Sequence, residues 1–345
     1  MSVPTPRDSF PGSVLVTGGA GFVGARVVRG LLAAGSRVVV ADDLSCGDAS
    51  RLPLGHSRLT LHPLDVEAPR GLLALCGEEG PFDVVLHLAA RVGVRRVLAD
   101  PEGCRSAHRA AARELVAALQ SLPAASRPRL VAASTSEVYR ECAQPLTESH
   151  PLRSRDAGGR WAYAASKLEL EATLDAASDL WPADRGPVHL RLFNVVGPGQ
   201  DAEGGMVLPT FVRCALAGAP LPVHGDGEQV RTLAHVDDLA ADVVEILLRP
   251  DFPAGPLNLG GTARCTVNEL AHEVLTAAGG GRLRSVDPRR TLSARFEEVR
   301  HREPCLDRAR DLGLAGRARS LADIVRDSLE HHRRFRPAPL EAPHH

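Results

Sequence analysis

Eight residues near the start of the chain, TGGAGFVG from Thr17 to Gly24, limit the fold more than any other stretch. They follow an apolar run, Ser13 to Val16, that reads as a buried strand, and they lead into AGFVGARVVRGLLAAG, whose 3.6-residue apolar period predicts a helix ending at Gly35. SRVVVADD then reads as a second strand, so the chain opens with a βαβ unit. Gly18, Gly21 and Gly24 occupy the strand-to-helix turn. Glycines there permit a tight turn and let a pyrophosphate approach the helix N-terminus.

Later segments repeat the alternation. Strands are predicted at Arg58 to Asp65, Phe82 to Ala90, Arg129 to Thr135 and Val188 to Gly197, with helices at His108 to Leu122 and Ala164 to Leu180. Strands that are apolar throughout and alternate with helices imply a parallel sheet covered on both faces. The expected architecture is α/β, a doubly wound parallel sheet over residues 13–197. A smaller, less regular C-terminal lobe is expected over most of 198–330, where GPGQDAEGG and HGDGEQ read as loops, and a disordered tail over 333–345.

Composition removes several function classes. Among 345 residues, Lys plus Arg (41) and Asp plus Glu (42) nearly cancel, so no basic field calls for nucleic acid. Seven cysteines without a CxxC pair suggest reduced thiols, with no metal site and no disulfide framework. No run approaches the roughly 20 apolar residues of a membrane span, which places the chain in the cytoplasm.

Three constellations carry chemistry. Asp42 and Asp43 end the second strand about 20 residues after the glycines, where a carboxylate accepts hydrogen bonds from a ribose 2′-hydroxyl and repels a 2′-phosphate. NAD is therefore expected over NADP. Asp65, in HPLDV, reads as an adenine contact, with a simple turn residue the close alternative. STSEVY closes a central strand, so Thr135, Ser136 and Glu137 are expected to face a ligand cleft. The third is Tyr163-Ala-Ala-Ser-Lys167, which holds the only lysine of the chain and one of its two tyrosines. On a helix these side chains share a face, and an ammonium beside a phenol is expected to lower its pKa from about 10 toward neutrality. A compact ammonium can also hold a cofactor ribose where a guanidinium fork cannot.

TGGAGFVG, His87-Leu-Ala-Ala90, STSEVY, YAASK and RLFNVVGPGQ together resemble the extended short-chain dehydrogenase/reductase superfamily, in its nucleotide-sugar epimerase, dehydratase and decarboxylase group, from about Ser13 to Gly313. The resemblance implies a Rossmann-type domain holding NAD through Gly18, Gly21, Phe22, Val23, Gly24, Asp42, Asp43, Asp65, Val66, Leu88, Ala89 and Ala90, with Tyr163 and Lys167 at its reactive end. It makes Tyr163 the base, Lys167 its partner and Thr135 the hydroxyl bridging phenol and sugar. Ser136 and Glu137 follow Thr135. Asn194, Val207, Leu208, Arg231 and Arg302 match positions that hold the nucleotide and diphosphate. His87 is expected to support the cofactor loop and Trp161 to serve as packing.

Within that group, STSEVY, RWxYxxSK and the Gln229 to Arg231 step resemble UDP-glucuronate decarboxylases, with Arg160 or Arg231 a candidate partner for the uronate carboxylate. The expected reaction is decarboxylation to UDP-xylose or its 4-keto precursor. A nucleotide-sugar 4-epimerase and a 4,6-dehydratase are the alternatives, and an idle NAD-binding scaffold is the non-enzymatic one. Three positions depart from the group: His108 where relatives often carry Asn, Arg140 after Val-Tyr where Gly is usual, and Gly199 where many carry Arg. A homodimer built from the helices carrying His108 and Tyr163 is expected from the resemblance alone.

Overall fold

A computed structural model of the chain describes residues 12–182, 185–287, 297, 299–314 and 318–335. The strands β1 (Ser13–Thr17), β2 (Arg37–Asp42), β3 (Leu59–Pro63), β4 (Val84–His87), β5 (Arg129–Thr135) and β6 (Val188–Leu192) pair in parallel. Strand order along the sheet is β6-β5-β4-β1-β2-β3. The direction of winding reverses between β1 and β4, and the carboxyl ends of those strands open a crevice.

The pleat divides the strand residues between two cores. Val14, Val16, Val38 and Val40 face α1 (Gly24–Ala33), while Leu15, Val39 and Ala41 face α2 (Gly71–Glu79) and α4 (Pro101–Ser121) on the opposite side. Short α3 (Val94–Ala99) precedes α4, and α5 (Ala162–Ala176) packs beside α4. The α4 helix starts earlier than its apolar period suggests. Asp100 caps it by accepting from the Gly103 amide at 2.9 Å, and Pro101 supplies a first-turn residue that needs no donor.

The run from Val188 to Gly197 is not one strand. Asn194 adopts φ +34°, which breaks the chain between β6 and β7 (Val195–Val196). The β7 strand leaves the large sheet and pairs with β9 (Val230–His235), after α6 (Val207–Leu216) and β8 (Leu221–His224). Nor is the lobe boundary clean at residue 197. Helix α7 (Val236–Leu248) returns to pack on α1, and β10 (Gly255–Leu259) adds a seventh parallel strand beside β6. The lobe itself gathers β11 (Ala263–Thr266), α8 (Val267–Ala278), β12 (Leu283–Val286), β13 (His301–Arg302) and a C-terminal helix, Leu321–Arg334. Its own core includes Leu208, Phe211, Leu270 and Ile324. Helix α8 is set by a capping box between Thr266 and Glu269 and stopped by Gly279 at φ +91°. Arg333 and Arg334 end the C-terminal helix, and the remainder of the expected tail, 336–345, lies outside the described residues. No helix among the described residues is long and apolar enough to cross a membrane.

Candidate active site

The crevice is a cavity of roughly 400 Å³ running from the β1–α1 turn to the ends of β5 and α5. Gly18 sits at φ +71°, and a Cβ there would lie 2.7 Å from the Ala89 backbone nitrogen. A Cβ on Gly24 would strike the Gly18 carbonyl. The turn must therefore be glycine, and it leaves the amino end of α1 facing the cavity. Asp42 braces this turn, accepting from the amides of Ala20 and Leu44 at 2.9 Å each. Asp43 accepts from the Ser45 amide and hydroxyl. Asp65 accepts from the Glu67 amide at 2.8 Å, the turn role, and also lines the cavity. Phe22, Val23, Val66, Leu88, Ala89 and Ala90 complete this end. A glycine cradle, a helix N-terminus and two strand-end carboxylates fit the expected dinucleotide.

His87 bonds the Thr17 hydroxyl at 2.8 Å, and burial with the Lys167 charge lowers it to about 3, so the ring is neutral and supports β1.

At the other end, Thr135, Ser136, Glu137, Tyr163 and Lys167 all reach the cavity wall. Thr135 closes β5, and its hydroxyl accepts from the Glu137 amide at 3.2 Å. One expectation is corrected here. Burial, then the Glu137 carboxylate and Cys104, push the Tyr163 phenol above its ordinary value. The Lys167 ammonium is anchored on the Ala133 carbonyl at 2.9 Å, and burial lowers its own pKa to about 8.

Glu137 is ringed by guanidinium groups. Arg302 donates to its carboxylate at 3.1 Å, and Arg153 donates to its backbone carbonyl at 3.2 Å. Burial alone would raise its pKa, but Arg302, Arg160 and Arg153 outweigh burial and hold it ionised, below the usual range. Arg302 and Arg160 also line the cavity. The guanidinium groups of Arg153 and Arg160 lie 3.4 and 4.7 Å from the Trp161 ring centroid, and the indole donates to Glu297 at 2.7 Å. Trp161 is packing for this arginine group, as expected.

Three expected binding residues stand elsewhere. Val207 and Leu208 begin α6 away from the cavity wall, and Leu208 is buried in the lobe core, where an apolar side chain at the helix start turns inward. Arg231 also leaves the wall, donating to the carbonyls of Val230 and Val299 at 2.7 and 2.8 Å. Asn194 does line the cavity and donates to the Thr232 carbonyl at 3.1 Å. At the departures, Arg140 donates to the Leu152 carbonyl, and Gly199, at φ +78°, takes Arg51 on its own carbonyl.

Sequence reasoning missed Arg153 and the buried pair behind the site. Glu171 receives Arg191 at 2.7 and 3.0 Å and the Ser134 hydroxyl at 2.5 Å. Glu171 stands four residues after Lys167, a helical spacing that could have flagged it.

Comparisons with known proteins agree with this geometry. A model of the NAD dependent epimerase/dehydratase family matches residues 14–260. The UDP-N-acetyl-alpha-D-glucosaminuronate decarboxylase of Bacillus cytotoxicus is 28% identical over 305 residues, covering 86% of this chain and 90% of that protein. The UDP-glucose 4-epimerase of Mycolicibacterium smegmatis is 32% identical over 272 residues, 77% of this chain and 82% of that protein. The solved UDP-glucose 4-epimerase of Thermus thermophilus in complex with NAD superposes with TM-score 0.79 at 27% identity, covering 93% and 99% of the two chains. With its glycine turn, strand-end carboxylates and Tyr-Lys helix in one crevice, the chain is an NAD-using enzyme of the extended short-chain dehydrogenase/reductase superfamily and belongs to the NAD-dependent epimerase/dehydratase family.

Proposed function

We propose that the enzyme decarboxylates UDP-glucuronate, giving UDP-xylose or its 4-keto precursor. The observation that carries this reading is the ionised Glu137 flanked by the cavity-lining Arg160 and Arg302. Two guanidinium groups against one carboxylate leave a net positive wall, suited to the C6 carboxylate of a uronate. A 4,6-dehydratase instead needs an acid for the departing 6-hydroxyl. Its substrate carries a neutral 6-hydroxyl where the uronate carries a carboxylate, so the positive wall of Arg160 and Arg302 has no counter-charge to meet there.

NAD, when bound, accepts the C4 hydride and can return it. The chain's own residues do the remaining work. Thr135 orients the 4-hydroxyl and Tyr163 takes its proton, the phenol that burial raises being lowered for this by the positive charge of the nicotinamide when NAD is bound, with Lys167 fixed beneath on Ala133. The 4-ketone so formed is an electron sink for loss of CO2 from C6. Arg160 holds the carboxylate until it leaves, and the C5 carbanion then takes a proton from solvent by way of the Ser136 hydroxyl, with the Glu137 carboxylate beside it accepting from Arg302. The Bacillus relative named for decarboxylation supports this reading, and the Mycolicibacterium relative supports a 4-epimerase as the second one.

The test is mass spectrometry of the NAD-replete enzyme with UDP-glucuronate, UDP-glucose, UDP-galactose, dTDP-glucose and GDP-mannose in parallel. Loss of the mass of CO2 from UDP-glucuronate alone is the expected result. Two further hydrogens separate UDP-xylose from the keto product. Unchanged masses, with an isomer resolved by chromatography, would establish the epimerase instead.

A further inference from the structure

His108 lies on α4 behind the catalytic residues, 5% exposed, and no step above uses it. Its contacts form a chain whose polarity is fixed. The Arg91 amide can only donate, and it donates to His108 Nε2 at 2.9 Å. In a neutral ring that leaves the hydrogen on Nδ1, which faces the Ser166 hydroxyl at 2.7 Å. Ser166 in turn donates to the Tyr163 carbonyl at 2.7 Å. The His108 ring also meets the Tyr163 ring edge-on, centroids 5.8 Å apart and planes at 69°. On the far side, the Arg91 side chain pairs with Glu67 at 3.0 Å. Arg91 follows β4 and Glu67 follows β3, and both line the cofactor end of the cavity.

We propose that His108 is a positioning residue that ties Tyr163 to the cofactor-side segment at Arg91, through the directed chain Arg91 amide, His108, Ser166, Tyr163 carbonyl. The inference rests on the reading of Tyr163 as the proton acceptor. Both the Nε2-protonated tautomer and the imidazolium would set two donors against each other at Arg91, so the chain holds only in the Nδ1-protonated neutral form. The surroundings agree. Burial, then the charges of Lys167 on α5 and of Arg91 itself, oppose a proton on this ring, and the neutral His87 on β4 faces it without offsetting them. Tyr163 is thereby gripped twice, at its carbonyl through Ser166 and at its ring edge. A phenol that must meet both a sugar hydroxyl and a nicotinamide needs this kind of restraint, because an error of about 1 Å can cost roughly 100-fold in rate.

The experiment uses the holoenzyme and the variants His108→Ala and His108→Gln. Nitrogen-15 NMR of the imidazoles, with His108→Gln identifying the signal, is expected to show His108 as the Nδ1-protonated neutral tautomer from pH 5 to 8. His108→Ala is expected to keep its bound NAD while kcat falls roughly 10- to 100-fold with little change in KM, and His108→Gln, which retains a donor and an acceptor, to recover most of the loss. Should the alanine variant not fold, Ser166→Ala cuts the same chain one link later and is expected to give the same fall in kcat. An Nε2-protonated ring, a titration near pH 6.5, or a wild-type kcat in the variant that cuts the chain would overturn the proposal. If the wild type turns over no nucleotide sugar, the reaction reading fails instead. The NMR tautomer and the amide exchange of Arg91, faster in His108→Ala if the chain exists, still decide the role of His108.

Discussion

Lys167 Nζ donates to the Ala133 carbonyl at 2.9 Å, so the one lysine of the chain ties α5 to the end of β5 before it serves any ligand. The side chain is 1% exposed. Burial lowers its pKa from 10.5 to about 8, with Cys104 and Glu171 opposing. Between those two pH values the unfolded chain keeps a proton that the folded chain has lost, so stability rises with pH across that window. Below about 8 the buried ammonium is a standing cost. Lys167→Met is therefore expected to be inactive yet more resistant to urea than wild type at pH 7, with the advantage gone above pH 10.5. Lys167→Arg is expected to be inactive and less stable at both, since a guanidinium is wider and keeps its proton. Urea midpoints at the two pH values check this.

Glu137 and Arg302 form the opposite case, a carboxylate that its neighbours keep charged. Its stabilising contribution is present above its ordinary 4.5 and is lost as pH falls through the lower folded value. Glu137→Gln leaves Arg302, Arg160 and Arg153 facing one another without a counter-charge. The expected outcome is turnover reduced by roughly 100-fold or more, together with lower stability at pH 7 and a gap to wild type that closes under acid. Initial rates and thermal melts between pH 3 and 7 read both.

Behind the site, Glu171 and Arg191 are 6% and 4% exposed and doubly bonded, and Arg191 passes the network on to Tyr139 and thence to Asn258 on β10. Removing one partner of such a pair strands a buried charge and costs about 3–5 kcal/mol. Arg191→Met is expected to lose that much stability. Glu171→Gln, which leaves the buried Arg191 guanidinium without a counter-charge, is expected to lose a comparable amount. Urea unfolding at unchanged slope is the measurement.

What the sequence made legible was whatever lies close along the chain. The glycine turn with Asp42, the Thr135-Ser136-Glu137 strand end and the Tyr163–Lys167 pair each sit within one element or one βαβ unit, and all reach the same cavity. The pairing of Glu137 with Arg302 spans 165 residues and leaves no spacing to read. Arg231 lies on β9, a strand the local pattern did not announce after the HGDGEQ loop, and which wall a strand residue faces depends on register with β11 and β13. The break at Asn194 was hidden because it interrupts an apolar run without Gly or Pro. The return of α7 and β10 to the large sheet follows from packing on α1 and β6, contacts made only in three dimensions.

At the rim of the cavity two strips of chain meet through two kinds of contact. Gly93, at φ +112°, lies backbone to backbone against Gly204, and a Cβ on Gly93 would come within 3.1 Å of the Gly204 Cα. Beside them Arg96 pairs with Asp201 at 3.6 Å, with both side chains more than 40% exposed. All four residues line the cavity, so the two strips meet over the cofactor end. An exposed ion pair is worth about 0–1 kcal/mol and is screened by salt. A left-handed backbone position filled by alanine costs about 1–2 kcal/mol even before the clash with Gly204. Gly93→Ala is therefore expected to release NAD at least about tenfold faster than wild type. Arg96→Ala is expected to stay within about threefold, with that difference vanishing in 0.5 M salt. Dissociation of NAD after rapid dilution, followed by intrinsic fluorescence, measures both. A larger effect from Arg96 than from Gly93 would show that charge at the rim, and not the close glycine contact, governs NAD release.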